Sequence, residues 1–148
     1  MKITDILQGE HIVLHNLFDH IEKVVPKLKT LAEIKTIASL MESLINAHGK
    51  VEDEMVSLPL DHYLEHIGQL EKFHYEHTEI NENLKKIQSS KSIKEARKLL
   101  LNAVVFSRCH FDNEERNFFP LAEKFLKNST LETLGKTYFE KRKKILGE

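Results

Sequence analysis

The chain has 148 residues and 41% hydrophobic residues, which is enough apolar material for the core of one domain. Only five glycines and three prolines interrupt it, and this composition favours long helices over sheets with many turns. The formal charge of −1 is spread along the chain without a basic stripe, so we expect an all-α domain over residues 1–148 with no nucleic-acid partner.

Five helices are predicted from the helical spacing of apolar residues and from local start signals. A hydroxyl residue followed three positions later by Glu marks a capping box at Thr30, Ser92 and Ser129. Pro59 and the polar segment 88–91 supply further breaks. The predicted helices lie near 5–28, 31–57, 61–88, 92–127 and 130–146. Because the connections are short, we expect an antiparallel up-down-up-down four-helix bundle with a short C-terminal fifth helix.

Each of the four long helices carries one histidine in the row of residues that should face the core. The row of the first helix runs from Leu7 to Leu28 at steps of three and four, and its only polar ionisable member is His11. On the second and fourth helices a glutamate follows one turn after the histidine, so that both side chains project from one face. The predicted polar core positions are His11, His48, Glu52, His77, His110 and Glu114.

Six such groups in one core need a common partner, because burying an unpaired carboxylate costs several kcal/mol. Imidazole suits iron, zinc and copper, and a carboxylate can bridge two cations. Four His with two Glu therefore indicate a dinuclear iron site more than a calcium or magnesium site. A metal-free network of buried polar groups is the alternative interpretation.

Other histidines and acids lie near these rows. His15 is a less favoured ligand, because it leaves the apolar row of the first helix. His62 and His66 lie close to the Pro59 turn, where we expect them to be exposed. Three acids beside the rows are expected to face solvent: Asp53, Glu54 and Glu115.

The third helix offers two histidines for one position. His77 occupies the apolar row, whereas His74 flanks it. Measured as helical rise from the turn, however, His74 lies nearer the level of His11. We favour His77 as the ligand and leave His74 as a possible additional ligand or a group that supports one.

The sequence resembles the haemerythrin-like, or HHE cation-binding, family over nearly its whole length. The resemblance rests on Glu10-His11 with Leu14, on His48 to Glu52 before Pro59, on Glu76-His77-Thr78-Glu79-Ile80, and on His110-Phe111-Asp112-Asn113-Glu114-Glu115 before Phe118-Phe119-Pro120-Leu121. The last segment is similar to the fairly specific family motif H-F-x-x-E-E with a downstream F-P-L. The resemblance implies a four-helix bundle with a non-haem di-iron centre whose irons are bridged by Glu52 and Glu114.

The implied cofactor is two iron ions with a bridging oxo or hydroxo group, with zinc or another divalent metal as the alternative. Oxygen-carrying members of the family have His four residues before the third-helix ligand, where this chain has Phe73, and they have Asp at the position of Glu114. These departures argue against simple oxygen carriage. Two six-coordinate irons offer about twelve positions, of which about two stay open if His74 does not bind.

We therefore expect a protein that binds or senses dioxygen, nitric oxide or peroxide, in iron homeostasis or in the response to nitrosative or oxidative stress. An enzyme that reduces peroxide or nitric oxide is one alternative, and a metal-free or zinc-bound structural bundle is another. One cysteine cannot form an internal disulfide, residues 1–5 lack the apolar stretch of a signal peptide, and no run approaches the roughly 18 apolar residues of a membrane helix. We expect a cytoplasmic protein without a membrane partner.

Overall fold

The structure is a computed structural model that describes residues 1–63 and 68–147. In chain order its helices are α1 (Ile3–Val24), α2 (Leu31–Glu52), α3 (Leu58–Asp61), α4 (Gly68–Ser89), α5 (Ile93–Asn113), α6 (Phe119–Phe125) and α7 (Asn128–Leu146). A 3-10 turn over Val25–Lys27 follows α1, and π turns over Asp53–Ser57 and Glu114–Phe118 follow α2 and α5. These two ranges contain no strand, so the predicted all-α class is confirmed.

Helices α1, α2, α4 and α5 form the predicted four-helix bundle. Helix α4 packs against α2 and α5, α1 contacts α2 and α5, and α7 packs along α1 as the fifth helix. The connections 28–30 and 90–92 are short, which forces the helices they join to run antiparallel. In the part of the chain that the structure describes, no helix is long and apolar enough to cross a membrane.

Two of the three predicted capping boxes mark real helix starts. The Thr30 hydroxyl accepts a hydrogen bond from the Glu33 amide at 3.3 Å, and the Ser92 hydroxyl accepts one from the Glu95 amide at 3.3 Å. The third prediction is wrong, because α7 begins at Asn128 and Ser129 lies inside it. There the carbonyl of Lys127 already accepts the amides of Thr130 and Leu131, so the helix starts without a hydroxyl cap.

The boundaries near the prolines differ from the prediction. Pro59 does not end a helix at 57, since it stands in the first turn of α3, where a missing N–H costs no hydrogen bond. The predicted helix 92–127 is divided in the same way, with Pro120 in the first turn of α6. Each proline follows a π turn, and widening that turn keeps the proline ring away from the carbonyl four residues earlier. Helix α4 is described from Gly68, and residues 64–67, where its predicted first turns fall, lie outside the described residues.

Two apolar clusters fill the bundle, one on each side of a polar layer. The first cluster includes Phe18, Met41, Ile80, Leu84 and Leu100. The second includes Ile3, Met55, Phe73 and Phe118. We call the six ionisable residues between them the polar layer: His11, His48, Glu52, His77, His110 and Glu114. Along α1, for example, Leu7 belongs to the second cluster and Leu14 to the first, with His11 between them.

Candidate metal centre

The six residues of the polar layer occupy positions in the inward-facing apolar rows of the four long helices. Steps of three or four residues keep each row on the inner face, so a His or Glu placed in a row is carried into the core. Glu52, Glu114 and His11 are fully buried, and His48 and His110 are nearly so. The His77 side chain is 14% exposed, which makes it the most accessible member of the layer.

The six side chains divide into two overlapping groups of four. One group consists of His11, His48, Glu52 and Glu114, and the other of His77, His110, Glu52 and Glu114; within each, the candidate ligand atoms lie within 4.8 Å of one another. Both glutamates belong to both groups. The structure thus brings together all six residues that were predicted as metal ligands, and it places His77, not His74, in the layer.

Each glutamate directs one oxygen to each pair of histidines. Glu52 Oε1 lies 2.9 Å from His48 Nε2, whereas its Oε2 lies 3.2 Å from His77 Nε2. Glu114 Oε2 lies 3.2 Å from His11 Nε2, whereas its Oε1 lies 2.7 Å from His110 Nε2. This is the arrangement by which a carboxylate bridges two cations.

These separations suit atoms that share a cation. With bonds near 2.1 Å, two ligands lie about 3.0 Å apart at a right angle and about 3.4 Å apart at a tetrahedral angle. The nearest pairs in the layer, including His11 Nε2 and His48 Nε2 at 2.9 Å, fall close to these values. Among the described residues, no hydrogen bond reaches any of the four buried oxygens of Glu52 and Glu114, although an imidazole Nε2 atom lies 2.7–3.2 Å from each. Buried carboxylate oxygens need either protons on these imidazoles or a cation as partners, so the layer fits bound metal, and it can hold a metal ion.

Three of the four layer histidines contact a carboxylate through their Nδ1 atom. His48 Nδ1 lies 2.7 Å from Glu10 Oε2, His11 Nδ1 lies 2.9 Å from Glu115 Oε1, and His110 Nδ1 lies 2.6 Å from Glu76 Oε2. A carboxylate at Nδ1 keeps the proton on that nitrogen and leaves Nε2 free to bind a cation. We call Glu10, Glu76 and Glu115 the outer carboxylates.

The charges of the layer are strongly coupled. Burial lowers the pKa of His48, but Glu52 and Glu10 outweigh it and raise the pKa to about 10. For His77 and His11, burial is likewise outweighed by Glu114 and Glu52, which raise the pKa of His77 to about 10 and that of His11 to about 9. Burial raises the pKa of Glu52, yet His48 and the other imidazoles hold it well below its usual value. Protons therefore balance the carboxylates in the absence of a cation, and a binding metal must displace them.

Aromatic rings cover the His11 side of the layer. Phe111 stacks on the His11 ring with centroids 4.0 Å apart, and Phe119 lies 5.4 Å away. Phe111 also contacts the edge of His48 at 5.3 Å. On the opposite side, Phe73 lies 6.3 Å from His110 and belongs to the second apolar cluster. The two histidine pairs thus have different surroundings.

The competing histidines that the structure describes lie outside the layer. His15 is half-buried and contacts Arg108 at 2.9 Å, and His74 is 48% exposed and contacts Asp53 at 3.1 Å. His62 is exposed, as predicted, and His66 lies outside the described residues.

Two of the three acids expected to face solvent also contact a histidine. Glu54 is exposed and pairs with Lys141. Glu115, however, reaches back to His11, and Asp53 pairs with His74 while lying 4.0 Å from His77 Nδ1. The sequence interpretation gave no role to the outer carboxylates. Glu10 and Glu76 each precede a row histidine, and this Glu-His pair on two helices is the signal that could have revealed them.

Comparison with protein-family models, with curated proteins and with solved structures found no match to this chain.

Proposed function

We propose that this chain is a haemerythrin-like protein with a non-haem di-iron centre that binds or senses a small ligand: dioxygen, nitric oxide or peroxide. One observation carries the proposal: Glu52 and Glu114 each direct their two oxygens to different histidine pairs. A single cation would use one oxygen of each glutamate and leave the other oxygen beside a histidine pair that holds no metal. Two cations would use all four oxygens and all four histidines.

The set of donor atoms favours iron. Each metal would receive two imidazole nitrogens and two carboxylate oxygens, a mixture that suits iron and zinc better than calcium or magnesium. Iron prefers about six ligands, so four from the protein leave positions for a bridging oxo or hydroxo group and for an exchangeable ligand. When bound, the iron pair would supply these exchangeable positions and redox chemistry. The chain's own residues position the ligands, exclude water on the His11 side and hold the Nδ1 protons.

The experiment is to load the protein with ferrous iron without oxygen and then add dioxygen or nitric oxide. We expect a visible charge-transfer band that Glu54→Ala retains and Glu52→Ala lacks. A protein that holds iron and stays colourless with both gases would contradict ligand binding at the centre. Sustained consumption of peroxide or nitric oxide well above the rate of free iron would favour an enzyme over a sensor.

A zinc-bound structural bundle is the second candidate, and one observation favours it. Four protein ligands per metal complete a tetrahedral zinc site, with no position left for an exchangeable ligand. Metal analysis of protein purified without chelator decides between the two, since zinc in place of iron would support the structural role. We also infer a cytoplasmic location, because Cys109 is free and exposed, as thiols of reducing compartments are.

A further inference from the structure

A small cavity between α2 and α4 reaches the polar layer at His77. It has a volume of about 190 Å³, and its walls include Gly49, Asp53, His77 and Asn81. Pockets for drug-sized ligands measure about 300–1,000 Å³, so this one suits a molecule of only a few atoms. Its position beside a layer histidine makes it a candidate entry route.

Gly49 keeps the space beside the His77 ring open. A Cβ atom at this position would lie 3.4 Å from His77 Nδ1 and 3.6 Å from His77 Nε2, the nitrogen that faces the two glutamates. A side chain larger than Ala would therefore occupy the space that leads to the layer. Gly49 lies inside α2, where glycine costs about 1 kcal/mol relative to Ala, so helix formation does not account for its presence.

The cavity contains polar atoms without partners. In the part of the chain described, His77 Nδ1 and Asn81 Oδ1 are buried and have no hydrogen-bond partner. The other three layer histidines each have an outer carboxylate at Nδ1, whereas Asp53 is 4.0 Å from His77 Nδ1. Buried polar atoms that face a cavity require water or a polar ligand as a partner. These two atoms therefore suit a small polar guest.

A larger cavity also reaches a histidine of the polar layer, but its surroundings differ. It measures about 610 Å³, and both His48 and Glu10 line it, with Glu10 Oε2 2.7 Å from His48 Nδ1. Tyr138 donates a hydrogen bond to the other oxygen of Glu10, and Arg142 lies 3.5 Å from that same oxygen. At His48, therefore, Nδ1 already has a carboxylate partner, whereas His77 Nδ1 has none among the described residues.

We propose that a small polar ligand of a few atoms reaches the metal pair through the cavity beside His77, and that Gly49 and Asn81 limit its size. The inference rests on the proposed function and goes beyond it, because it assigns ligand exchange to the His77 and His110 side. On the other side, Phe111 and Phe119 cover the His11 ring.

Azide is a suitable probe, because it is a triatomic anion whose binding to ferric iron can be followed by absorption. The test compares azide association rates in the iron-loaded full chain, its Gly49→Leu variant and its Gly9→Leu variant. Gly9 is the matched control, since it also lies within a long helix, lines the larger cavity, and a Cβ there would meet no described atom within 4 Å. We expect Gly49→Leu to slow association roughly tenfold or more and Gly9→Leu to leave it unchanged.

Iron content is measured for every variant. An iron-loaded Gly49→Leu protein with the wild-type rate would overturn the inference, and so would slowing by Gly9→Leu alone. If Leu at 49 displaces His77 and iron is lost, Asn81→Leu decides by the same criterion, because it fills the cavity from α4. A wild-type chain that binds no metal would instead refute the proposed function, and the iron measurement distinguishes this outcome from a failed entry route.

Discussion

The first apolar cluster and the polar layer are built by the same four helices at the same inward positions, yet burial has opposite consequences in the two regions. A buried apolar side chain in the cluster stabilises the fold by about 1.5–3 kcal/mol whether or not metal is present. The layer buries two carboxylates beside four imidazoles. The free-energy cost of removing such groups from water is offset only when they have close partners of opposite charge. The cluster therefore stabilises the fold by itself, whereas the layer is suited to holding a metal ion.

The largest expected effect is the loss of both metals on removal of one bridge. Glu52→Ala or Glu114→Ala should lower metal content from about two per chain to near zero, because each carboxylate contacts both histidine pairs. Glu54→Ala is the control, since Glu54 is exposed and contacts Lys141. Metal analysis after desalting makes the comparison. Retention of one tightly bound metal in both bridge variants would argue for independent sites.

Shortening an apolar side chain of the first cluster should lower stability and leave metal binding intact. Ile80 is fully buried in the first cluster, one turn from His77. Ile80→Ala should destabilise the protein by about 2–5 kcal/mol while the folded protein still binds its full metal complement. Urea denaturation together with metal analysis measures the two effects separately. A loss of metal without a loss of stability would contradict the division between cluster and layer.

The outer carboxylates should have an intermediate effect. Glu10→Gln and Glu76→Gln each remove the charge that holds a histidine at Nδ1, and we expect metal affinity to fall about 10- to 100-fold for each. Competition with a chelator of known affinity measures this fall. Glu22→Gln is the matched control on α1, since Glu22 contacts Arg108 on the surface. Equal affinities for all three variants would show that the outer carboxylates do not act on the site.

A smaller effect is expected in the pH dependence of the chelator-treated protein. The pKa values of His11, His48 and His77 are raised from 6.5 to about 9–10, so their stabilising contribution is complete below 6.5 and is lost as pH rises through that range. The pKa of Glu52 is lowered from 4.5, so its contribution is present above 4.5 and is lost as pH falls through the lowered value.

Stability without metal should therefore be highest between pH 4.5 and 6.5 and should fall toward pH 10. Urea denaturation midpoints across this range provide the measurement. Ile80→Ala should shift the whole curve downward without changing its shape. Stability that rises between pH 7 and 10 would contradict the charge assignment of the layer.

The smallest expected effect is at the histidines outside the layer. His15→Ala and His74→Ala should leave metal content near that of the wild type, because these side chains contact Arg108 and Asp53 instead of the layer. Metal analysis of both variants beside His77→Ala provides the test. If His74→Ala lost metal and His77→Ala did not, the position of α4 would be one turn in error.

Most of the fold could be predicted from the sequence, because the helical period determines which residues face inward. The rows through Leu7, His11 and Leu14 on α1 and through Ile45, His48 and Glu52 on α2 follow from spacing alone. The π turns could not be predicted in this way, because they depend on how the backbone before Pro59 and before Pro120 accommodates the proline ring. The break assigned to Pro59 was wrong for this reason.

The inner positions of the site followed from the same spacing, but the outer carboxylates did not. Glu10 precedes His11 yet contacts His48, and Glu76 precedes His77 yet contacts His110. Such contacts cross between helices, so they depend on how far apart two helices pack and how they are rotated. A single row gives neither quantity. Glu115 was expected in solvent because its Cβ lies beside the row, but its side chain is long enough to return to His11.

The most direct test of the metal pair is an anaerobic titration of the metal-free chain with ferrous iron, followed by measurement of iron per folded chain. The two overlapping groups that share Glu52 and Glu114 predict an endpoint at about two irons per chain. An endpoint at one iron, or no binding above that of Glu52→Ala, would contradict the assignment of the polar layer as a dinuclear centre.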